Sequence, residues 1–368
     1  MRMQHVDVVV AGLGPVGALL SARLVQQGAT VLAVDRASYV FPLPRAVAAD
    51  DEVQELLART GPGLVKPMLH DVPVRFVAPA RLPATARFVA PARLLGEVRL
   101  PTSASGFCGL AFFHQPALEA GLRALLTGAD VRLGTAVTGL VQDAAGVRVE
   151  LGCDQVRADW LVGCDGAGSV VRRLAGIPWR GRELPHRWLV CDVVGDKGQV
   201  FTYTCDPARP TVDMPLPGGH RWEWLLRGTA VPDARALVPP DVEVVRQAVY
   251  RFGARRAARW REGRVLLAGD AAHTMPPFAG QGLGAGLRDA WALAALLTNG
   301  DPAGYERLRA PHVREMTRLS LLLGSVLQAQ HGAPVRDALL HRAFRAPALG
   351  PWLARGGPRR PASGVLDL

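Results

Sequence analysis

Lysine is nearly absent from this chain of 368 residues. Lys66 and Lys197 are the only two among 43 basic side chains, so the formal charge of +11 rests almost wholly on arginine. That arginine is spread among abundant alanine, glycine, proline and valine, with no basic stripe or nucleic-acid module. The charge therefore argues against a nucleic-acid binder and leaves a mild attraction for anionic ligands. Cysteine is scarce too. Cys108, Cys153, Cys164, Cys191 and Cys205 are odd in number and form no CxxC pair. This argues against a disulfide framework or a structural zinc centre and fits a reducing cytoplasm. No apolar run is long enough for a membrane span; Val8–Leu20 is broken by three glycines and a proline. Met1–Asp7 lacks the layout of a signal peptide. With 49% hydrophobic and 20% charged residues, the chain has material for two domains, or for one large α/β domain with an insertion.

What is present reads first as a βαβ unit. Val6–Val10 is a short, apolar, β-branched strand, a glycine-rich turn follows, and Ala18–Gln27 has helical spacing ended by Gly28. Thr30–Val34 is the second strand. A helix is expected over Asp51–Arg59 and another over Pro116–Leu126. Strands are expected at Val131–Leu133, Val147–Leu151 and Trp160–Val162. RFVAPARL occurs twice, at Arg75–Leu82 and Arg87–Leu94; two copies are too few for a solenoid and read as two short strands. Residues 181–254 alternate in short strands and turns, with helical patterning resuming at Asp241–Arg251. Arg264–Ala268 is a short buried strand. Gly286–Leu297 and Ala303–Leu327 are helical, and a loose tail is expected after Gly350.

Three motifs carry chemistry. Gly12-Leu13-Gly14-Pro15-Val16-Gly17 follows a strand and opens a helix, as GxGxxG must. The first glycine permits the turn, the second lets backbone approach a pyrophosphate, and the third lets helix and strand pack closely. The helix N-terminus offers free N–H groups and a positive dipole end. Asp35, beside Arg36, closes the second strand where a carboxylate accepts the ribose hydroxyls of an adenine dinucleotide. This unit alone fits NAD or FAD. The other two stretches are LVGCDGAGSVVRR at Leu161–Arg173 and RVLLAGDAAHTMPPFAGQGLGAGL at Arg264–Leu287.

In this order the three stretches resemble the GxGxxG, DG and GD fingerprints of the class A flavoprotein aromatic hydroxylases, the group related to p-hydroxybenzoate hydroxylase. Pro44–Val47, Cys205–Pro207 and His220–Trp224 resemble most the 3-(3-hydroxyphenyl)propionate hydroxylase-like subgroup. The resemblance implies an α/β fold: a Rossmann-like FAD-binding domain, an inserted β-rich substrate domain and C-terminal helices. It divides the chain into 1–70, 97–180 and 255–330 for FAD, 71–96 and 181–254 for substrate, and 331–368 as a helical or loose tail. It also implies roles. Arg45 reaches the flavin side and Gln115 contacts FAD. Asp165 and Gly166 lie near the pyrophosphate. Gly269 and Asp270 meet the ribityl chain. Pro276, Pro277, Gly280, Gly282 and Leu283 press on the isoalloxazine ring.

Gly284 and Ala292 depart from the family, which often has Asn at both places. The interval from Asp165 to Asp270 is short for the family, and the thioredoxin-like domain of larger relatives is not expected here. The resemblance further implies NADPH or NADH as a transient reductant of FAD. Molecular oxygen then gives a flavin hydroperoxide that hydroxylates a phenolic or polycyclic aromatic small molecule. No side-chain constellation stands out as catalytic, as expected where the cofactor carries the chemistry. The pocket wall is expected to include Phe201, Tyr203, Trp222 and Trp224, with Phe112 and Phe113 nearby. His273 reads as readily as a core histidine. The same fold doing epoxidation, Baeyer–Villiger insertion or dehydrogenation stays open, as does binding of FAD without turnover. A flavin halogenase is disfavoured because neither lysine sits in a suitable context. A cytoplasmic monomer or homodimer is expected.

Overall fold

Four consecutive apolar residues, Val8–Ala11, are buried on both faces of their strand, the signature of a parallel sheet covered by helices. The computed structural model describes residues 3–79, 92–195, 198–354, 365, 366 and 368. The strand β1 (Gln4–Ala11) leads into the helix α1 (Pro15–Gln26), which returns the chain to β2 (Val31–Asp35). Gly28, at φ +86°, turns the chain after α1. A two-residue strand β3 (Ala48–Ala49) precedes α2 (Asp51–Thr60), capped by the Asp50 carboxylate on the Val53 N–H. Then come β4 (Val74–Ala78), β5 (Arg93–Val98), β6 (Ala111–Phe112) and α3 (Gln115–Ala124). They are followed by β7 (Asp130–Leu133), β8 (Gly139–Asp143), β9 (Gly146–Leu151), β10 (Asp154–Gly163) and α4 (Val170–Leu174). The middle of the chain is β11 (Trp179–Val194), β12 (Phe201–Thr204), β13 (Thr211–Leu216), β14 (Gly219–Leu226) and β15 (Glu243–Ala257). It closes with β16 (Arg261–Glu262), β17 (Val265–Leu267), β18 (His273–Thr274) and the helices α5 (Gly282–Thr298), α6 (Tyr305–Leu327), α7 (Ala333–Arg345) and α8 (Leu349–Ala354).

Two large sheets result. The first runs β16-β17-β10-β1-β2-β7, with β8 and β9 added beside β10. Its central pairs β17·β10, β10·β1, β1·β2 and β2·β7 are parallel. The second runs β18-β15-β11-β14-β13-β12-β4-β5 and is antiparallel except at β12·β4. Its inner face packs Phe76, Trp188, Phe201 and Leu225 against Phe278, Leu327 and Phe344. Its outer face carries a separate cluster of Leu189, Cys191, Val193, Trp224 and Leu226 with Ala234.

The structure corrects one expectation of secondary structure outright. Residues 241–251 are not helical: β15 pairs with β11 from Glu243 to Ala257. The four-residue spacing of Val245 and Val249 suits a helix as well as a strand. Here both are exposed on one face, while Arg246, Tyr250 and Phe252 take the other. Thirteen cross-strand partners outweigh a weak helical period. Elsewhere α1 starts at Pro15, ahead of the expected Ala18. The first RFVAPARL copy contains β4. Most of the second lies outside the described residues, its last two, Arg93 and Leu94, opening β5 antiparallel to β4. Beyond Gly350, α8 continues to Ala354, and 355–364 lie outside the described residues.

Candidate functional site

One cavity of about 650 Å³ joins the glycine-rich edge of the first sheet to the inner face of the second. At the glycine end, Gly14, Pro15 and Val16 line it. Gly12 sits at φ +98°, and a Cβ there would lie 2.5 Å from the Cys164 carbonyl oxygen. A Cβ at Gly17 would lie 1.8 Å from the Gly12 carbonyl oxygen, so strand and helix touch through backbone. Gly14, the N-cap of α1, is extended and gives no side-chain cap. The first N–H groups of α1 are thus left for a ligand. Asp35 lies behind this turn, outside the cavity lining. Its Oδ2 accepts the Leu13 N–H at 2.7 Å and its Oδ1 the Ala37 N–H at 2.8 Å. The carboxylate therefore shapes the turn itself, and its Oδ2 also faces Arg123 Nη2 at 3.7 Å. Arg36 is exposed beside it and is not part of the lining either.

The second loop is built the same way. Asp165 Oδ2 accepts the N–H groups of Val170 and Val171 at 2.7 and 3.1 Å, while its buried Oδ1 has no partner among the described residues. Gly166, at φ +81°, lines the cavity. Arg172 ties this loop to the third by donating to the carbonyls of Ala167 and Ala271. The third loop begins where Asp289 accepts the Gly269 N–H at 3.2 Å. Asp270 opens onto the cavity. Shielding by its walls pushes the carboxyl above the usual range, with His273 and Arg45 pulling the other way. Pro277–Ala279 form a single 3₁₀ turn, capped by Gly280 at φ +63°, before α5 starts at Gly282. Pro277, Gly280, Gly282 and Leu283 all line the cavity; Pro276 does not, and its carbonyl accepts from Ser320.

Arg288, on α5, anchors that loop. It donates to Glu52 Oε2 at 2.6 Å and to both Asp50 oxygens at 2.8 and 3.0 Å, and Gln281 also donates to Asp50. Burial opposes ionisation of Asp50, yet the Arg288 charge and these hydrogen bonds bring its pKa down to about 2. A Cβ at Gly284 would lie 2.9 Å from Arg288 Nη1. The guanidinium occupies the room that a larger residue would need there. Ala292 is fully buried in the same helix. His273 is a core residue: its Nε2 meets Asp289 Oδ2 at 2.6 Å, and Trp260 packs on its ring.

Gln115 Oε1 accepts the N–H groups of Arg45 and Ala46 at 2.9 and 2.7 Å, holding the Arg45 segment against the cavity. From the second sheet, Arg221 and Arg246 donate to the Pro44 carbonyl, and Arg221 also to that of Arg45. Buried Asp192 sits between the two arginines, 2.6 Å from Arg221 Nε and 3.2 Å from Arg246 Nη1. Helix α3 and the second sheet thus grip one loop from both sides.

Phe201 and Tyr203 line the cavity. Trp222 and Trp224 do not. Side chains alternate along β14, so Arg221 and Glu223 face the cavity while Trp222 and Trp224 pack into the outer cluster. Phe112 packs edge-on to Phe201 at 5.4 Å behind the wall, and Phe113 belongs to the first sheet's core. Sequence reasoning also missed Phe76, Trp188, Tyr250 and the leucines of α6. The alternation of HRWEW was visible; which of its faces turns inward was not. Burial raises the Glu223 pKa, opposed by Arg221 and reinforced by Asp192, and burial raises that of Tyr203.

The site fits a flat, diphosphate-bearing cofactor. A Cβ at Gly14, Gly166 or Gly280 would meet nothing within 4 Å, and at Gly282 only Met275 Cγ at 3.9 Å. Four open glycines therefore leave backbone bare along one side of the cavity, beside an unspent helix N-terminus. Among the described residues no cluster of His, Cys, Asp and Glu suits a metal ion, and no helix is long and apolar enough to cross a membrane.

The chain belongs to the FAD-binding domain family, whose model matches residues 5–212 and 228–320. It is 36% identical, over 382 aligned positions, to a 3-(3-hydroxy-phenyl)propionate/3-hydroxycinnamic acid hydroxylase of Klebsiella pneumoniae, covering 92% of this chain and 66% of that protein. The chain thus spans just under two thirds of that relative's length. Its fold matches p-nitrophenol 4-monooxygenase from Pseudomonas putida, with a TM-score of 0.81 at 24% identity over 97% of this chain and all of that one. Aklavinone-11 hydroxylase, solved as a ternary complex with FAD and aklavinone, gives 0.73 at 27% identity over 91% of this chain and 71% of that one.

Proposed function

We propose that this chain is an FAD- and NAD(P)H-dependent monooxygenase that hydroxylates a phenolic or polycyclic aromatic small molecule. One observation carries this reading: the cavity is continuous from the open glycines to a chamber walled by Phe76, Trp188, Phe201, Tyr203 and Phe252. A cofactor on the glycine side and an aromatic molecule on the other would share one continuous space. FAD, when bound, supplies the redox and oxygen-activating chemistry.

The chain's own residues bind, orient and exclude water. The α1 N-terminus with Gly14 takes the pyrophosphate, and Asp35, beside the same turn, the ribose. Asp270 takes the ribityl hydroxyls, and the backbone of Gly280–Leu283 supports the ring. Gln115, Arg221 and Arg246 fix the Arg45 segment along the cavity. The apolar residues of α6 and of the second sheet shut out bulk water, so that activated oxygen is not lost. NADPH or NADH visits as a transient reductant, since one glycine fingerprint serves one resident dinucleotide. A cytoplasmic monomer or homodimer completes the reading.

The test is incubation of the FAD-loaded protein with NADPH, oxygen and a panel of phenols and polycyclic aromatics. A product heavier by one oxygen atom, with substrate-stimulated NADPH consumption, is expected. Retention of FAD with no NADPH oxidation on any member of the panel would overturn the reading in favour of binding without turnover.

A further inference from the structure

Cross-strand register places one row of side chains across the inner face of the second sheet. Val190 on β11 pairs with Glu223 on β14, Glu223 with Val212 on β13, Val212 with Tyr203 on β12, and Tyr203 with Phe76 on β4. All five line the cavity. Glu223 is the one charged member of a row that is otherwise apolar or neutral. Its carboxylate makes no hydrogen bond to the described residues; the nearest cation is Arg221 Nη1 at 3.9 Å. Arg221 is already engaged: Nε and Nη2 hold Asp192, and Nη1 and Nη2 donate to the Arg45 and Pro44 carbonyls. The helical residues of the lining are apolar here, with Leu319, Leu322, Leu323, Val326, Leu327 and Leu340 supplying no cation.

Glu223 is half-buried and faces the cavity, so a ligand that covers its carboxylate without supplying a donor incurs a desolvation cost, and one that brings a donor avoids it. We infer that Glu223 is a specificity-determining residue that accepts a hydrogen bond from a hydroxyl on a neutral aromatic ligand and turns away ligands carrying a carboxylate at that end. The inference rests on the proposed monooxygenase reading and narrows its substrate to uncharged, hydroxyl-bearing aromatic rings. Glu223, whose pKa is raised by burial, loses much of that burial penalty when such a hydroxyl donates to it.

The experiment is a binding titration of the FAD-loaded protein with 2-naphthol, naphthalene and 2-naphthoate, read by the absorbance of the flavin and the emission of tryptophan. The native protein is expected to hold 2-naphthol about tenfold or more tighter than the other two, the size of one charge-assisted hydrogen bond. Glu223→Leu should bring 2-naphthol down to the affinity of naphthalene. Glu223→Gln, nearly isosteric and still an acceptor, should keep part of the preference and admit 2-naphthoate. FAD content of each variant verifies folding. Equal affinity of the native protein for 2-naphthol and naphthalene, or a preference that survives in both variants, would overturn the assignment. Failure of the monooxygenase reading shows separately, as absence of an oxygenated product from the native protein.

Discussion

Gly14 and Gly17 stand in one motif with opposite demands. At Gly17 a Cβ collides with backbone, whereas at Gly14 it projects into open cavity. Gly17→Ala should therefore destabilise the FAD-free protein by about 3 kcal/mol or more, because backbone must move. Gly14→Ala should leave FAD-free stability within about 1 kcal/mol, since φ −64° suits alanine, yet weaken FAD about tenfold or more. Thermal unfolding without cofactor and FAD titration separate the two effects. The motif was legible because only glycine meets both demands, and chemistry forbids a substitute. Asp35 was legible in position but not in its partners: the Leu13 and Ala37 N–H groups occupy one side of each oxygen, and no spacing rule announces that. His273 was legible only as an alternative until Asp289 and Trp260 were found around it.

At the scale of elements, the sequence showed where β14 lay and hid its orientation. Both faces of HRWEW carry large side chains, and only the register with β11 and β13 turns Arg221 and Glu223 inward. Residues 241–251 were misread for a related reason: local period is weaker than pairing with a distant strand. The tie between α2 and α5 was equally silent, since Asp50 and Arg288 are far apart in sequence. Its energetics follow from the depressed Asp50 pKa. A carboxylate at about 2 when folded, against an ordinary 3.8, adds stability that is present above about pH 4. That stability is lost as pH falls through 2. The shift corresponds to about 2 kcal/mol. Asp50→Asn should be less stable than the native protein by about that amount at neutral pH, and the gap should close between about pH 4 and pH 2. Urea unfolding across this range measures it; a gap independent of pH would show that the ion pair is not its source.

The whole molecule closes its cavity with α6 and α7, and this closure was the least legible feature, because it depends on contacts between distant parts of the chain. Phe344 of α7 packs on Phe76 at 4.7 Å, in a space that a Cβ at Gly96 would fill. Arg336 adds a hydrogen bond to the Cys205 carbonyl. Phe344→Ala should release α7 from the sheet, costing about 2 kcal/mol or more. Its amides should exchange faster with solvent, while FAD is retained at the far end; hydrogen exchange with and without FAD reads both. Because the glycine edge and the aromatic chamber form one unbroken space, their occupants are neighbours in a thermodynamic as well as a spatial sense. Whatever factor a bound ring adds to the grip on FAD, FAD must add to the grip on the ring, so the order of loading leaves the final balance unchanged.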